Sequence, residues 1–554
     1  MSANLRRRLE DSLSAFSTTA RNRSLRRAEL SYGAAFTAEW AFTVALSVVA
    51  FRDGGTTAVG IVAFARMAPA ALLSPLGTAL ADRSRRDRVL MWSCLLRAAA
   101  TGAAALLLQA GTAKVTIYAL AALATVAFTV FRPAHNALQP ALCRTPLELT
   151  SANVVRGLLD SISMLIGPLA AALLLNVSGA VAVFVFAAAM SLSSGMLLAR
   201  LAYETPPRGL PQPLRRLVAE TIAGFQGLAR YRDARLLFTL ALAQTLTRGF
   251  LNVFVVVIAL TLLHMGGPGV GLLTAAVGAG AVSGSLGVAI LVTGRRLAVV
   301  EGVGVMLWGL PLALSGAFPY EPAVLVLMGA IGVGNALVDV GLYTLTPRLL
   351  PERLLARVFG AFESLISLTV ALGSLITPLV IDVLGIRGAL VLLGLLAPTL
   401  AAFGWRRLRV IDASMAHRDE EVAVLRRVAM LRPLPMPAID NLAVHVDQLH
   451  VDAGQDVFHQ GDHGDRFYVI EDGEADVIGD ERLIGTLGPG EGFGEIALLR
   501  EVPRTTTVRA RTPLELYALH RRYFAPAVSD YRSSGREAEA VIHDRLEAFD
   551  PGIG

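Results

Sequence analysis

The sequence predicts an all-α membrane protein, 12 transmembrane helices in two pseudo-symmetric six-helix bundles, followed by a C-terminal cytoplasmic β-roll with flanking helices. Three observations predict this. From about Ala28 to Trp405, long apolar runs alternate with short arginine-rich loops. From Arg406 onward the chain becomes charged, with short alternating runs punctuated by glycines. The two halves of the apolar region also repeat one another at a spacing of roughly 207 residues. Bulk composition fits two solvents, lipid first and water afterwards: 54% hydrophobic, 17% charged, with a mean hydropathy of +0.56.

The chain opens on a basic arm, residues 1–27, that leads into a full-length apolar segment with no cleavage pattern, so no signal peptide is expected. A spanning helix needs about 20 apolar residues. Such runs fall near 30–51, 57–80, 89–110, 114–137, 152–176, 179–200, 234–262, 269–292, 298–317, 322–345, 357–383 and 387–404. They divide into an N-terminal bundle (28–201), a long polar loop (202–233) and a C-terminal bundle (234–405). Arginines collect on one side: Arg6, Arg7, Arg8, Arg26 and Arg27 in the arm, Arg83, Arg85, Arg86 and Arg88, then Arg295, Arg296, Arg348 and Arg353. The opposite loops offer little beyond Arg52, Lys114 and Arg387. Positive charge marks the cytoplasmic side, so both termini are expected there. The arginine bias, with Lys114 the single lysine, and the Ala and Gly richness fit a GC-rich bacterial genome, and hence a bacterial inner membrane. The same loops account for the net charge of +6 without a nucleic-acid partner. Cys94 and Cys143 lack metal-ligand spacing and are expected as free thiols.

The repeat aligns "NALQPAL" (136–142) with "YTLTPRL" (343–349), and "IGPLAAALLLNVSG" (166–179) with "LGSLITPLVIDVLG" (372–385). Pro140 then matches Pro347, Gly167 matches Gly373 and Gly179 matches Gly385. Two facing bundles place a substrate path between them near mid-membrane. Ionisable residues within the spans are costly and usually face a cavity or a partner. The candidates are Glu39, Arg66, Arg97, Arg132, Asp160, Arg248, Asp339 and Glu363. By the repeat, Arg132 corresponds to Asp339 and Glu39 roughly to Arg248, which predicts a charge gate between the halves; buried structural pairs are the alternative. Glu39 first, and Asp160 second, are the carboxylates expected to exchange a proton and couple transport to the proton gradient.

The loop "ALADRSRRDRVL" (79–90) resembles the signature loop of the major facilitator superfamily. Asp82 and Arg83 fall on its Asp-Arg pair, and Arg85 and Arg86 on its basic cluster. The resemblance assigns Asp82, Arg83 and Arg86 to a conformational latch on the cytoplasmic side, an Asp at a helix end meeting a neighbouring helix N-terminus. Thr78 departs from the family's usual glycine. "AEWAFTVAL" (38–46), "FRPAHNALQPALCRTPLELTSAN" (131–153) and "IGPLAAA" (166–172) resemble the drug-efflux branch, which implies export of a small amphipathic molecule.

After a charged helical linker, 406–432, with the amphipathic "VAVLRRVAML" (422–431), the domain at 433–554 begins. "HQGDHGDRFYVIEDGEADV" (459–477) resembles the first hairpins of cyclic-nucleotide-binding domains, and "FGEIALLREVPRTTTVRA" (493–510) resembles their phosphate-binding cassette. Phe493 and Gly494 lead into a short helix whose free N–H groups, from about Ile496 and Ala497, can meet an anion. Glu495 is placed to accept the ribose 2′-hydroxyl, and Arg504 offers a planar fork to the cyclic phosphate. Thr505 and Thr506 follow, and a threonine at 505 occurs in both cGMP-selective and dual-specificity relatives. The regulatory ligand is therefore cAMP or cGMP, with cAMP favoured by the bacterial reading. "REAEAVIHDRLEAF" (536–549) is the last helix, which usually caps the base.

The sequence expectation is a cyclic-nucleotide-regulated secondary transporter whose partners are the lipid bilayer, a small-molecule substrate and the nucleotide, with homo-oligomerisation left open. The alternatives are a transporter whose nucleotide domain is only structural, or a membrane nucleotide sensor that moves no substrate. A channel is disfavoured by the absence of a TVGYG-like filter or a regular arginine sensor. No Walker loop, metal cluster or nucleophile motif argues for an enzyme or a metal site.

Overall fold

The protein is described here from a computed structural model covering residues 21–549, except 84, 112–113, 144, 200, 202–213 and 292–295. The side chains of 73–83 also lie outside the described set. The chain divides into two compact units, Met1–Arg409 and Val410–Gly554.

The first unit is helical: α1 (Arg23–Arg83), α2 (Arg86–Gln109), α3 (Lys114–Thr129), α4 (Phe131–Leu142), α5 (Pro146–Val177) and α6 (Gly179–Ala199). After α7 (Leu214–Arg230) come α8 (Arg232–Val257), which ends in a π-helical turn at Ile258–Leu262, then α9 (Gly266–Leu291), α10 (Leu297–Ala317), α11 (Glu321–Leu349) and α12 (Glu352–Leu425). Among the described residues, ten helical segments are long and apolar enough to cross a membrane. α1 loses helical geometry at Gly54 and Gly55, and α12 at Gly385. Each break falls in the turn expected between two apolar runs, so α1 and α12 each carry two of the predicted runs end to end.

The repeat is visible in the backbone. Gly179 and Gly385 both take positive φ, 77° and 70°, a left-handed conformation that glycine adopts without Cβ strain. Pro140 and Pro347 each sit in the last turn of their helices, α4 and α11. A Cβ on Gly167 would lie 2.7 Å from the carbonyl of Thr37 in α1; one on Gly373 would lie 3.0 Å from the Cα of Gly249 in α8. Equivalent glycines thus let equivalent helices approach closely in the two halves.

The second unit begins within α12, continues through a 3₁₀ turn (Ala429–Leu431) and α13 (Met436–Ala443), and then folds into two four-stranded antiparallel sheets. Strands are β1 (Val446–Val451), β2 (Asp456–Phe458), β3 (Arg466–Asp472), β4 (Ala475–Gly479), β5 (Arg482–Leu487), β6 (Gly492–Phe493), β7 (Thr507–Ala510) and β8 (Leu514–His520). Their orders are β1-β8-β3-β6 and β2-β7-β4-β5. Phe458, Tyr468, Ile470, Phe493, Val508, Leu514 and Leu516 fill the space between the sheets. α14 (Glu495–Leu499) interrupts the roll, and α15 (Arg521–Ser529) and α16 (Arg532–Phe549) close it. A second core joins Leu425, Met430, Leu431, Ile439 and Leu442 to Phe467, Leu519 and Phe524, so helices before and after the roll share one apolar centre.

Candidate functional site

The β-roll holds a cavity of about 200 Å³. Phe493, Gly494, Glu495, Ile496, Ala497, Arg504, Thr505 and Thr506, all expected from the sequence, line it together. Gly494 has φ +88°, and a Cβ there would sit 2.5 Å from an Arg504 Nη1. Glycine therefore serves both the turn into α14 and the seat of the guanidinium. Arg504 is nearly buried; it donates from Nη1 to the Gly494 carbonyl at 2.9 Å and from Nη2 to the Arg466 carbonyl at 2.7 Å. Its Cζ lies 4.1 Å from the centroid of the Phe458 ring, a cation–π support for the planar group. Burial pushes Arg504 below its ordinary value, opposed by Tyr468, Asp465, Glu495 and Asp462.

Two polar atoms in this wall are buried without a hydrogen-bond partner among the described residues: Nε of Arg504, a donor, and Oε2 of Glu495, an acceptor. Such groups are costly unless something satisfies them. One cationic donor and one anionic acceptor in a single cavity match a ligand carrying both an anionic oxygen and a hydroxyl, and a cyclic nucleotide has both.

The other Glu495 oxygen is taken. Arg545 of α16 donates to Oε1 at 2.7 Å and to the Gly492 carbonyl at 2.8 Å, and it lines the cavity as well. Sequence reasoning identified the last helix but not this residue, since no local spacing connects Arg545 to a glutamate fifty positions earlier. It also missed the apolar wall of Phe458, Val477, Ile484 and Leu487, which read as ordinary inward-facing strand residues.

In the helical unit, the intramembrane charges separate into two groups. Glu39 binds Arg66 at 3.0 Å and Arg97 at 2.6 Å, and Arg66 Nε donates to Thr125 at 2.8 Å. The expected opposition of Glu39 to Arg248 is not formed. Successive helical side chains diverge by about 100°, so Glu39 points into its own half while its neighbour Trp40 meets Arg248, whose Cζ lies 5.8 Å from the ring centroid. Arg132 instead pairs with Asp160, both carboxylate oxygens at 3.1 Å, beneath a Tyr32 hydroxyl at 3.4 Å. Arg248, Asp339 and Glu363 lie within electrostatic reach of Arg132 and one another, and Asn335 donates to Asp339 at 3.0 Å. Five of the six coupling candidates therefore form one cluster contributed by α4, α5, α8, α11 and α12, and the side chains of its Arg132–Asp160 pair are 51% and 37% exposed. Of the latch residues, the side chains of Asp82 and Arg83 lie outside the described residues. Arg86 donates to the Ala137 carbonyl at 2.8 Å, tying the start of α2 to α4.

A repeated helical unit rich in membrane-length segments, joined to a β-roll with an anion-and-hydroxyl pocket, defines a polytopic membrane protein with a ligand-binding sensor domain. The comparisons with known proteins make the assignment specific. The Major Facilitator Superfamily model matches residues 29–368, and the chain belongs to that family. The model of the cyclic nucleotide-binding domain matches residues 448–531. The protein is thus a transporter-family chain carrying a cyclic-nucleotide-binding domain. It is similar to the cAMP-dependent protein kinase regulatory subunit of Eremothecium gossypii, 46% identical over 74 residues, 13% of this chain and 16% of that protein. It is also similar to an uncharacterized ABC transporter ATP-binding protein of Mycobacterium tuberculosis, 32% identical over 150 residues, 25% of this chain and 44% of that one. The chain spans less than half the length of either relative. Among solved structures, the regulatory domain of Toxoplasma gondii PKA with cAMP aligns at 26% identity and TM-score 0.20, covering 21% of this chain and 46% of that one. The N-terminal domain of a transcriptional regulator from Streptomyces coelicolor A3(2) aligns at 26% identity and TM-score 0.20, covering 24% and 97%.

Proposed function

We propose that this protein is a proton-coupled exporter of a small amphipathic molecule in a bacterial inner membrane, tuned by cyclic nucleotide bound to a cytoplasmic C-terminal domain. The observation that carries the regulatory half is the orphan pair in the pocket, Arg504 Nε and Glu495 Oε2. A cyclic phosphate oxygen accepts from Arg504, while the ribose hydroxyl donates to Glu495 Oε2. Val477, Ile484 and Leu487 supply an apolar surface for the base. The ligand favoured is cAMP, with the kinase regulatory subunit as the named relative in its support.

Glu495 is then shared between the sugar and Arg545, so occupancy of the pocket reaches α16 through one carboxylate. α16 packs on the 3₁₀ turn at Ala429–Leu431, which follows α12. A ligand shifts a transporter only by its differential affinity for the two states, and this chain of contacts is a route by which that difference is felt. Drug-efflux-like segments support export; the partly exposed charge cluster is assigned to the substrate path, with Glu39 and Asp160 as the carboxylates assigned to proton coupling.

Calorimetric titration of purified full-length protein with cAMP and cGMP, beside Arg504→Ala, tests the pocket. Saturable binding lost in the variant supports the reading, and no binding of either nucleotide by the folded wild type refutes it. Transport in proteoliposomes with and without nucleotide tests regulation, and kinetics indifferent to a bound nucleotide would leave the domain a structural tail.

A further inference from the structure

Glu301 lies in the first turns of α10, and nothing above uses it. Its side chain is fully buried, and among the described residues neither carboxylate oxygen has a hydrogen-bond partner. The packing around it is close. A Cβ on Gly341 of α11 would lie 2.5 Å from the Glu301 Cβ, and one on the adjacent Gly302 would lie 2.7 Å from Leu408 of α12. These glycines let α11 pack closely against the Glu301 side chain and α12 against the residue beside it.

The charges nearby do not compensate it. Among the described residues its one electrostatic neighbour is Asp339 of α11, another carboxylate. Of the ionisable groups on α8 and α12, Asp233 pairs with Arg407 at 2.6 Å, and Arg248 and Glu363 lie within the central cluster. Glu39 is a useful contrast, since that half-buried carboxylate holds two guanidinium partners. An ionised carboxylate sealed from water without counter-ion or donor is not sustained; such a group takes up a proton instead.

We propose that Glu301 is a proton-binding site of the C-terminal half, a carboxyl carried in its neutral form between α10 and α11 and able to release its proton when that packing opens to water. The site goes beyond the coupling roles assigned to Glu39 and Asp160 and does not depend on them. Asp339 places it beside the charge cluster, two residues along α11 from the Gly341 that covers it.

The test is infrared spectroscopy of the full-length protein in lipid nanodiscs at neutral pH, reading the C=O stretch of protonated carboxyls with its shift in D₂O. Wild type, Glu301→Gln and Glu301→Asp are compared. The expected result is a protonated-carboxyl band that loses one carboxyl's share of intensity in Glu301→Gln and returns, displaced in frequency, in Glu301→Asp. A Glu301→Gln protein with wild-type circular dichroism and the full band overturns the proposal. So does a wild type with no such band at neutral pH, a result that needs no variant to fold.

Discussion

At the residue scale, the pocket depends on a few atoms with no substitute. A hydrogen bond to a charged group contributes about 1.5–3 kcal/mol, and about 1.4 kcal/mol is a tenfold change in affinity. Arg504→Ala should therefore weaken cyclic-nucleotide binding at least tenfold by calorimetry. Gly494→Ala should fail for two reasons: the positive φ costs a side chain about 1–2 kcal/mol, and the new Cβ would crowd Arg504 Nη1. Loss of binding together with a lower unfolding midpoint is expected. Gly488→Ala, where a Cβ would meet nothing within 4 Å, serves as the control.

Elements carry the connections that sequence spacing hides. Arg545→Ala should leave Glu495 unpaired and release the end of α16, read as faster amide hydrogen exchange over 536–549 and a smaller nucleotide-induced change there. In the β-roll, register sets His450 of β1 directly opposite Glu515 of β8, with Nδ1 and Oε1 at 2.7 Å. The hydrogen bond and charge of Glu515 hold His450 above its ordinary value. The pair's contribution is complete below the unfolded histidine value and is lost as pH rises through the raised one. Histidine C2 hydrogen exchange followed by mass spectrometry should find the His450 midpoint lower in Glu515→Gln.

This contrast also explains what the sequence could reveal. The phosphate cassette was legible because Phe493 to Thr506 form one continuous segment in which local geometry dictates residue type. Arg545 was not, because its role arises only when α16 returns to the roll. Glu301, near the start of an apolar run, is not among the charges singled out from the sequence. Its burial is created by glycines on other helices. Glu39 was recognised as a charge within a span, but its partners Arg66 and Arg97 come from neighbouring runs of the same half, whereas the repeat directed attention across the halves.

For the whole molecule, the repeat makes a paired prediction. Gly179 and Gly385 both have positive φ, and a Cβ at either meets nothing within 4 Å. Gly179→Ala and Gly385→Ala should each cost about 1–3 kcal/mol through backbone strain alone. Thermal unfolding in detergent should show two similar downward shifts, and a large inequality would argue against equivalent roles. The Glu39 cluster has a different consequence. One carboxylate with two guanidiniums leaves a net positive charge held inside the N-terminal half, and arginine does not give up its proton in proteins. A unit charge crossing a whole membrane field experiences about 2.3 kcal/mol per 100 mV, so any conformational step that carries this cluster through part of the field is biased by voltage. Potassium-diffusion potentials of opposite sign across proteoliposomes should shift the balance of states in opposite directions. Such a bias is electrical, acts before any substrate is bound, and stands apart from the proton coupling proposed for Glu39 and Asp160.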